Sequence, residues 1–150
     1  MKTQFLRIWL LAFFTTLLAS VITFNAHAQK VSGPMIRFST KNYKQILASA
    51  KASQKRIFVD AFATWCAPCT ELRKTTFKDP KAAEYFNKNF ISYSIDVEKG
   101  EGIDLAKKWQ VDGLPTLLIL DKNGKVLATH TGYVDGKGLL EFAGEAQAHL

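Results

Sequence analysis

Cysteine is scarce in this chain: 150 residues hold two, Cys66 and Cys69, beside three histidines, His27, His130 and His149. A tetrahedral zinc site asks for about four sulfur or nitrogen ligands, so a metal has little to build on. Runs of like charge are missing too. The 20 basic residues are interleaved with 13 acidic ones, no five Lys or Arg stand together, and no stripe alternates aromatic with basic side chains. A solvated basic surface is therefore expected, and no nucleic-acid partner. There is also no internal repeat, no low-complexity tract and no linker beyond the short arm from Lys30 to Arg37. At this length, with 47% apolar residues, one domain with a core of its own is expected.

The long uncharged run, Ile8 to Phe24, follows Lys2 and Arg7 and precedes Ala26-His27-Ala28. That layout predicts a secretory signal over residues 1–28, cleaved after Ala28, which leaves 29–150 as the mature domain in the periplasm or otherwise exported. The competing reading is an uncleaved N-terminal membrane anchor, since 17 uncharged residues approach the roughly 20 that span a bilayer. Thr15, Thr16, Ser20 and Thr23 dilute the run and favour cleavage. Loss of Lys2 and Arg7 leaves 18 basic against 13 acidic residues, a net of +5. Compartments outside the cytosol are oxidising, and exposed thiols there tend to pair.

Along the mature chain, Tyr43, Ile46, Leu47 and Ala50 fall on one face of a helix between Ser39 and Gln54, with Ser39 or Thr40 as its cap. Ile57 to Ala63 is a short β-branched and aromatic run, the signature of a buried central strand. A helix is expected from Ala67 to Phe77 and, after an Asp79-Pro80 restart, another to about Lys88. Phe90 to Val97 reads as a strand. Gly102 to Trp109 reads as a helix with Ile103, Ala106 and Trp109 on one face. Thr116 to Leu120 and Lys125 to Thr131 form a hairpin over Asp121-Lys122-Asn123-Gly124. Asp135 caps a last helix that turns Leu139, Leu140, Phe142, Ala143 and Ala146 to the sheet. The order predicts an α/β fold, a central mixed sheet with helices on both faces.

Cys66 falls at a strand-to-helix junction, where unpaired backbone N–H groups and the positive end of the helix dipole stabilise a thiolate. Cys66 would attack a disulfide, and Cys69, one turn on, would resolve the mixed disulfide. Pro68 costs little in a first turn. A structural disulfide and half of a zinc site are the competing readings, although so small a loop constrains the unfolded chain little. Asp60 lies within the central apolar run, where burial raises a carboxyl pKa, and a strand and turn of six residues would bring it beneath Cys69 as a proton acceptor. The alternative is a lysine or water partner for Asp60. Pro115 opens a strand; a cis Leu114-Pro115 bond there would free the Leu114 backbone to pair with an extended peptide.

Together these residues resemble the thioredoxin family from about Phe38 to Leu150. The matching positions are Trp65-Cys66-Ala67-Pro68-Cys69, the acid Asp60 six residues upstream, Pro115-Thr116, and Gly132 after the last strand. The resemblance implies the thioredoxin fold, a cis Leu114-Pro115 bond and Cys66 as the attacking thiol. Thr75-Thr76-Phe77-Lys78-Asp79-Pro80 is similar to the C-terminal thioredoxin-like domain of the transmembrane reductase DsbD and to related small exported thioredoxins. Two departures stand out: Ala67 replaces glycine, and Ser92 stands where a lysine often lies near the buried acid.

Ala67-Pro68 supplies no cation to stabilise the thiolate further, so a reductant is expected, nearer the roughly −270 mV of thioredoxin than the roughly −120 mV of DsbA. Implied partners are disulfide-bonded exported proteins or apocytochrome c as substrates, and a membrane thiol electron donor of the DsbD or CcdA type. A monomer without cofactor is expected. The alternatives are a disulfide oxidase or isomerase, or a non-catalytic peptide-binding module.

Overall fold

A computed structural model of the chain describes residues 34–148. The expected signal segment, its cleavage point and His149 lie outside the described residues. Five strands form one sheet in the order β1-β3-β2-β4-β5, with β1 at Phe38–Ser39, β2 at Arg56–Phe62, β3 at Phe90–Asp96, β4 at Thr116–Leu120 and β5 at Val126–Thr131. β1, β3 and β2 run parallel, and β4 lies antiparallel to both β2 and β5. Around them lie α1 (Tyr43–Ser53), α2 (Ala67–Lys74), α3 (Pro80–Asn89), α4 (Gly102–Lys108) and α5 (Gly136–Ala148).

Ile57 to Ala61 are buried without a break, as a central strand covered on both faces requires. Alternation then divides the core. Phe58 packs with Leu72 of α2, Phe86 of α3 and Leu139 and Phe142 of α5, its ring 4.6 Å from that of Phe86. Ile57, Val59 and Ala61 point the other way, against Tyr43 and Ile46 of α1, Leu105 of α4, and Trp109. Asp60 shares the parity of Phe58, which sends it toward α2.

Several local expectations need correction. The cap of α1 is Asn42, not Ser39 or Thr40. Its side chain accepts from the Gln45 N–H at 3.0 Å while Gln45 Oε1 accepts from the Asn42 N–H at 3.2 Å, a reciprocal box that satisfies two end donors. Phe38 and Ser39 are instead committed to β1, paired with Ser92 and Tyr93. The helix expected to run to Phe77 ends at Lys74, and Thr76–Lys78 forms a separate 3-10 turn. In α4 the inward residue is Leu105, joined by Trp109, while Ile103 stays 42% exposed. The α4 start needs glycine: a Cβ on Gly102 would lie 2.0 Å from the Asp96 carbonyl oxygen. In the hairpin, Gly124 alone adopts positive φ, at 88°; Asp121 Oδ1 accepts from the N–H groups of Asn123 and Lys125 at 2.8 Å each. The capping of α5 by Asp135 is as expected, with Oδ1 accepting from Gly138 N–H at 2.8 Å.

Candidate active site

β2 ends at Phe62, and four residues later the chain enters α2 through Cys66. Cys66 is the N-cap residue, extended at φ −72° and ψ 105°, so its sulfur stands where a serine or aspartate oxygen would. Sγ accepts from the Cys69 backbone N–H at 3.2 Å, one of the donors that a helix start leaves unpaired. Pro68 in the first turn contributes no donor of its own. Cys66 and Cys69 are joined as a disulfide with Cα atoms 5.3 Å apart. The bond is sunk below the surface, the two residues being 3% and 2% exposed. Ala63 completes their small apolar cluster, with Phe62, Val97 and Leu114 packed against it.

Asp60 is 1% exposed. Burial pushes its carboxyl pKa above the ordinary value, opposed by the Ser94 hydroxyl and by the charge of Arg73. Ser94 Oγ donates to Oδ2 at 2.8 Å, and Arg73 Nη2 reaches the same oxygen at 3.2 Å. Oδ1 has no hydrogen-bond partner among the described residues. The partner of Asp60 is thus an arginine on α2, rather than the lysine or water considered from sequence. The register also corrects the neighbour on β3: Ser94 stands opposite Asp60, and Ser92 stands opposite Phe58. Neither Arg73 nor Ser94 stood out in the sequence. Arg73 lies four residues after Cys69, the helical repeat that puts both on one face, and that spacing was the available signal.

The Leu114-Pro115 bond is cis. Leu114 packs on the cysteine cluster, and the Pro115 carbonyl accepts from Gly132 N–H at 2.8 Å. Gly132 has φ 104°, which a side chain would resist. Thr116 is buried and donates to the Gly113 carbonyl at 2.7 Å. Trp65 is 69% exposed, its indole N–H held by Glu98 Oε1 at 2.9 Å; nothing in the sequence singles out Glu98 for this contact. Ala67 and Pro68 are exposed between the cysteines. Residues 132–135 are fastened to the end of α2, with Thr75 Oγ1 3.2 Å from Tyr133 Oη and Thr76 Oγ1 donating to the Val134 carbonyl at 2.6 Å. The structure thus brings Leu114 against Cys66 and Cys69, and links Asp60 to that cluster through Arg73, which bonds to the acid and stacks on Phe62.

A two-residue disulfide capping a helix, with a cis-proline loop packed against it and a buried acid on the preceding strand, defines a dithiol–disulfide redox protein. A family model described as a thioredoxin-like domain matches residues 43–147. The chain belongs to that family of thioredoxin-like thiol:disulfide oxidoreductases. It is 35% identical over 120 residues to the thiol:disulfide interchange protein DsbD of Vibrio vulnificus, covering 77% of this chain and 20% of the relative. It thus spans about a fifth of the length of that curated relative. The solution structure of a putative disulphide-isomerase from Bacteroides thetaiotaomicron superposes with a TM-score of 0.70 at 38% identity, covering 77% of this chain and 95% of the other. A thioredoxin from Thermus thermophilus, 22% identical, shares the fold with a TM-score of 0.64 over 76% of this chain and 87% of its own.

Proposed function

We propose that the protein is an exported reductant of protein disulfides that cycles between a Cys66/Cys69 dithiol and the disulfide. The observation that carries this reading is the Cys66 sulfur at the N-cap of α2, accepting the Cys69 N–H. An N–H that donates to a disulfide sulfur donates more strongly to a thiolate, so the reduced Cys66 is the better nucleophile of the pair. Cys66 attacks a substrate disulfide, forming one S–S bond and releasing one substrate thiolate. Cys69 then gives up its proton, with the unpartnered Oδ1 of Asp60 as acceptor, and attacks Cys66. The mixed disulfide breaks, the second substrate thiolate leaves, and the substrate has gained two electrons. Leu114, Pro115 and Thr116 shape the edge along which an extended substrate segment lies, with Trp65 on the other side.

The nucleophile has no cationic residue between the cysteines, which favours reduction over oxidation. A reductant outside the cytosol needs recharging, so a membrane thiol donor of the DsbD or CcdA type is the proposed source of electrons. Disulfide-bonded exported proteins or apocytochrome c are the proposed substrates. The domain acts as a monomer, cleaved after Ala28. Isomerase activity is the second reading, favoured by the likeness to the disulphide-isomerase structure from Bacteroides, whose chain this one matches over 95% of its length.

Turnover of insulin by dithiothreitol tests the catalytic assignment. The wild type accelerates it and Cys66→Ser abolishes the acceleration; undiminished rates in the variant would overturn the assignment of catalysis to Cys66, and no acceleration by the wild type would leave only a peptide-binding module with a structural disulfide. Reactivation of scrambled ribonuclease, faster than insulin reduction at equal enzyme, would move the assignment to isomerase.

A further inference from the structure

We propose that Arg73 is a positioning residue for the resolving step, orienting the Asp60 carboxylate so that Oδ1 faces the Cys69 proton. The inference rests on the redox reading above and assigns a role to a residue four positions beyond the Cys-x-x-Cys pair.

Both hydrogen bonds to Asp60 converge on one oxygen. Ser94 Oγ donates to Oδ2 at 2.8 Å, Arg73 Nη2 approaches Oδ2 at 3.2 Å, and the same nitrogen lies 3.2 Å from Ser94 Oγ. A closed triangle of this kind fixes the plane of the carboxylate. It leaves Oδ1 as the oxygen without a partner, in a residue 1% exposed. The guanidinium is itself held, lying 3.5 Å from the centre of the Phe62 ring. Phe62 packs on the Cys66 and Cys69 cluster, so one planar cation is shared between the acid and the wall of the dithiol site. An arginine suits this place because it can stack on a ring and donate in its own plane at once.

The electrostatic surroundings are simple. From α2 the group that reaches Asp60 is Arg73. From β3 it is Ser94; Asp96, at the strand end, pairs with Lys99 at 3.0 Å and is also reached by the charge of Arg73. β4 presents Leu117 opposite Asp60. Burial favours the protonated acid and Arg73 favours the carboxylate. Only the carboxylate can accept a proton, so Arg73 extends the range over which Asp60 serves as a base. In the step itself, the Cys69 S–H proton passes to Oδ1, the Cys69–Cys66 bond forms, and the bond from Cys66 to the substrate sulfur breaks with both electrons leaving on that sulfur. Re-reduction by an external dithiol returns the proton to Cys69.

The test follows the two thiolate releases when the reduced full chain meets excess dithiobis(nitrobenzoate): the first reports attack by Cys66, the second resolution by Cys69. Arg73→Gln is expected to leave the first release near wild type. It should slow the second at neutral pH on the order of tenfold, a fraction of the roughly 10²- to 10⁴-fold that a general base supplies, with recovery at higher pH. Arg73→Lys should restore most of the rate. In an Asp60→Asn background Arg73→Gln should change nothing further, which a purely structural role would not produce. Arg73→Leu, which keeps an apolar stem over Phe62, replaces the glutamine variant if that one does not fold. A second-release pH profile in either variant that overlays the wild type overturns the proposal, as does an equal slowing in the Asp60→Asn background. The redox reading stands or falls separately, on Cys66→Ser.

Discussion

At the scale of single residues, Asp60 is the costliest choice in the fold. A carboxyl in a space filled by Phe58, Leu72 and Leu117 is retained against its solvation. The folded chain holds the Asp60 proton to higher pH than the unfolded chain does, because burial raises its pKa. Above the unfolded-state value of about 3.9, the native state therefore binds more protons than the unfolded one, and its stability falls as pH rises through that window. Asp60→Asn is expected to unfold at higher urea concentration than wild type at alkaline pH, with the gap closing toward acid, while resolution by Cys69 slows. Parallel pH profiles of the two midpoints would contradict it.

The two cysteines and Asp60 were legible in the sequence because each signal is local: a spacing of two, and an acid inside an apolar run. Arg73 was not, because its contact needs both the phase of α2 and the register of β2 on β3. The same register decides between Ser92 and Ser94, and no feature of Phe90 to Asp96 alone distinguishes those serines.

Among the elements, α2 shows where local patterning runs out. Nothing at Thr75-Thr76 breaks a helix by composition, yet the helix stops at Lys74. Thr75 Oγ1 donates back to the Glu71 carbonyl at 2.7 Å, as a helical threonine can, but Thr76 Oγ1 reaches the Val134 carbonyl across the fold, a partner that a continued helix would deny it. Thr76→Val keeps the shape and removes the buried bond to the Val134 carbonyl. It should cost about 1–3 kcal/mol, read as a lower urea midpoint at unchanged slope; a neutral result would show that the break comes from packing alone. β1 escaped notice for a different reason: two residues carry no periodicity, and only the pairing with Ser92 and Tyr93 makes them a strand. The capping box shows the converse. Asn42 and Gln45 sit at the right spacing, but Ser39 and Thr40 offered equally good caps until β1 claimed their neighbourhood.

For the whole molecule, the strand and helix order, the mixed sheet and the two-faced core followed from patterning, since Ile57 to Ala61 and Thr116 to Leu120 are too apolar for any place but the centre. The direction of electron flow is a property of this scale as well. A reductant is a protein whose disulfide form is the more stable fold, whereas in a strong oxidant the reduced form is favoured. The oxidised protein is therefore expected to melt at higher temperature than the dithiothreitol-reduced one. Equilibration with glutathione should then place the couple near roughly −270 mV, and a value above about −180 mV would reverse the assignment.

The sunken position of the Cys66–Cys69 bond bears on traffic rather than on energy. A redox couple open to solvent trades with every small thiol or disulfide that diffuses past, and its charge state follows the surrounding pool. Here the sulfurs sit beneath the surface, with Leu114 of the proline loop packed against them. If the protein works as proposed, the rate of exchange should then depend on the shape of the partner as well as on its potential, and a chain that can lie against that loop is expected to react faster than a small disulfide of equal potential.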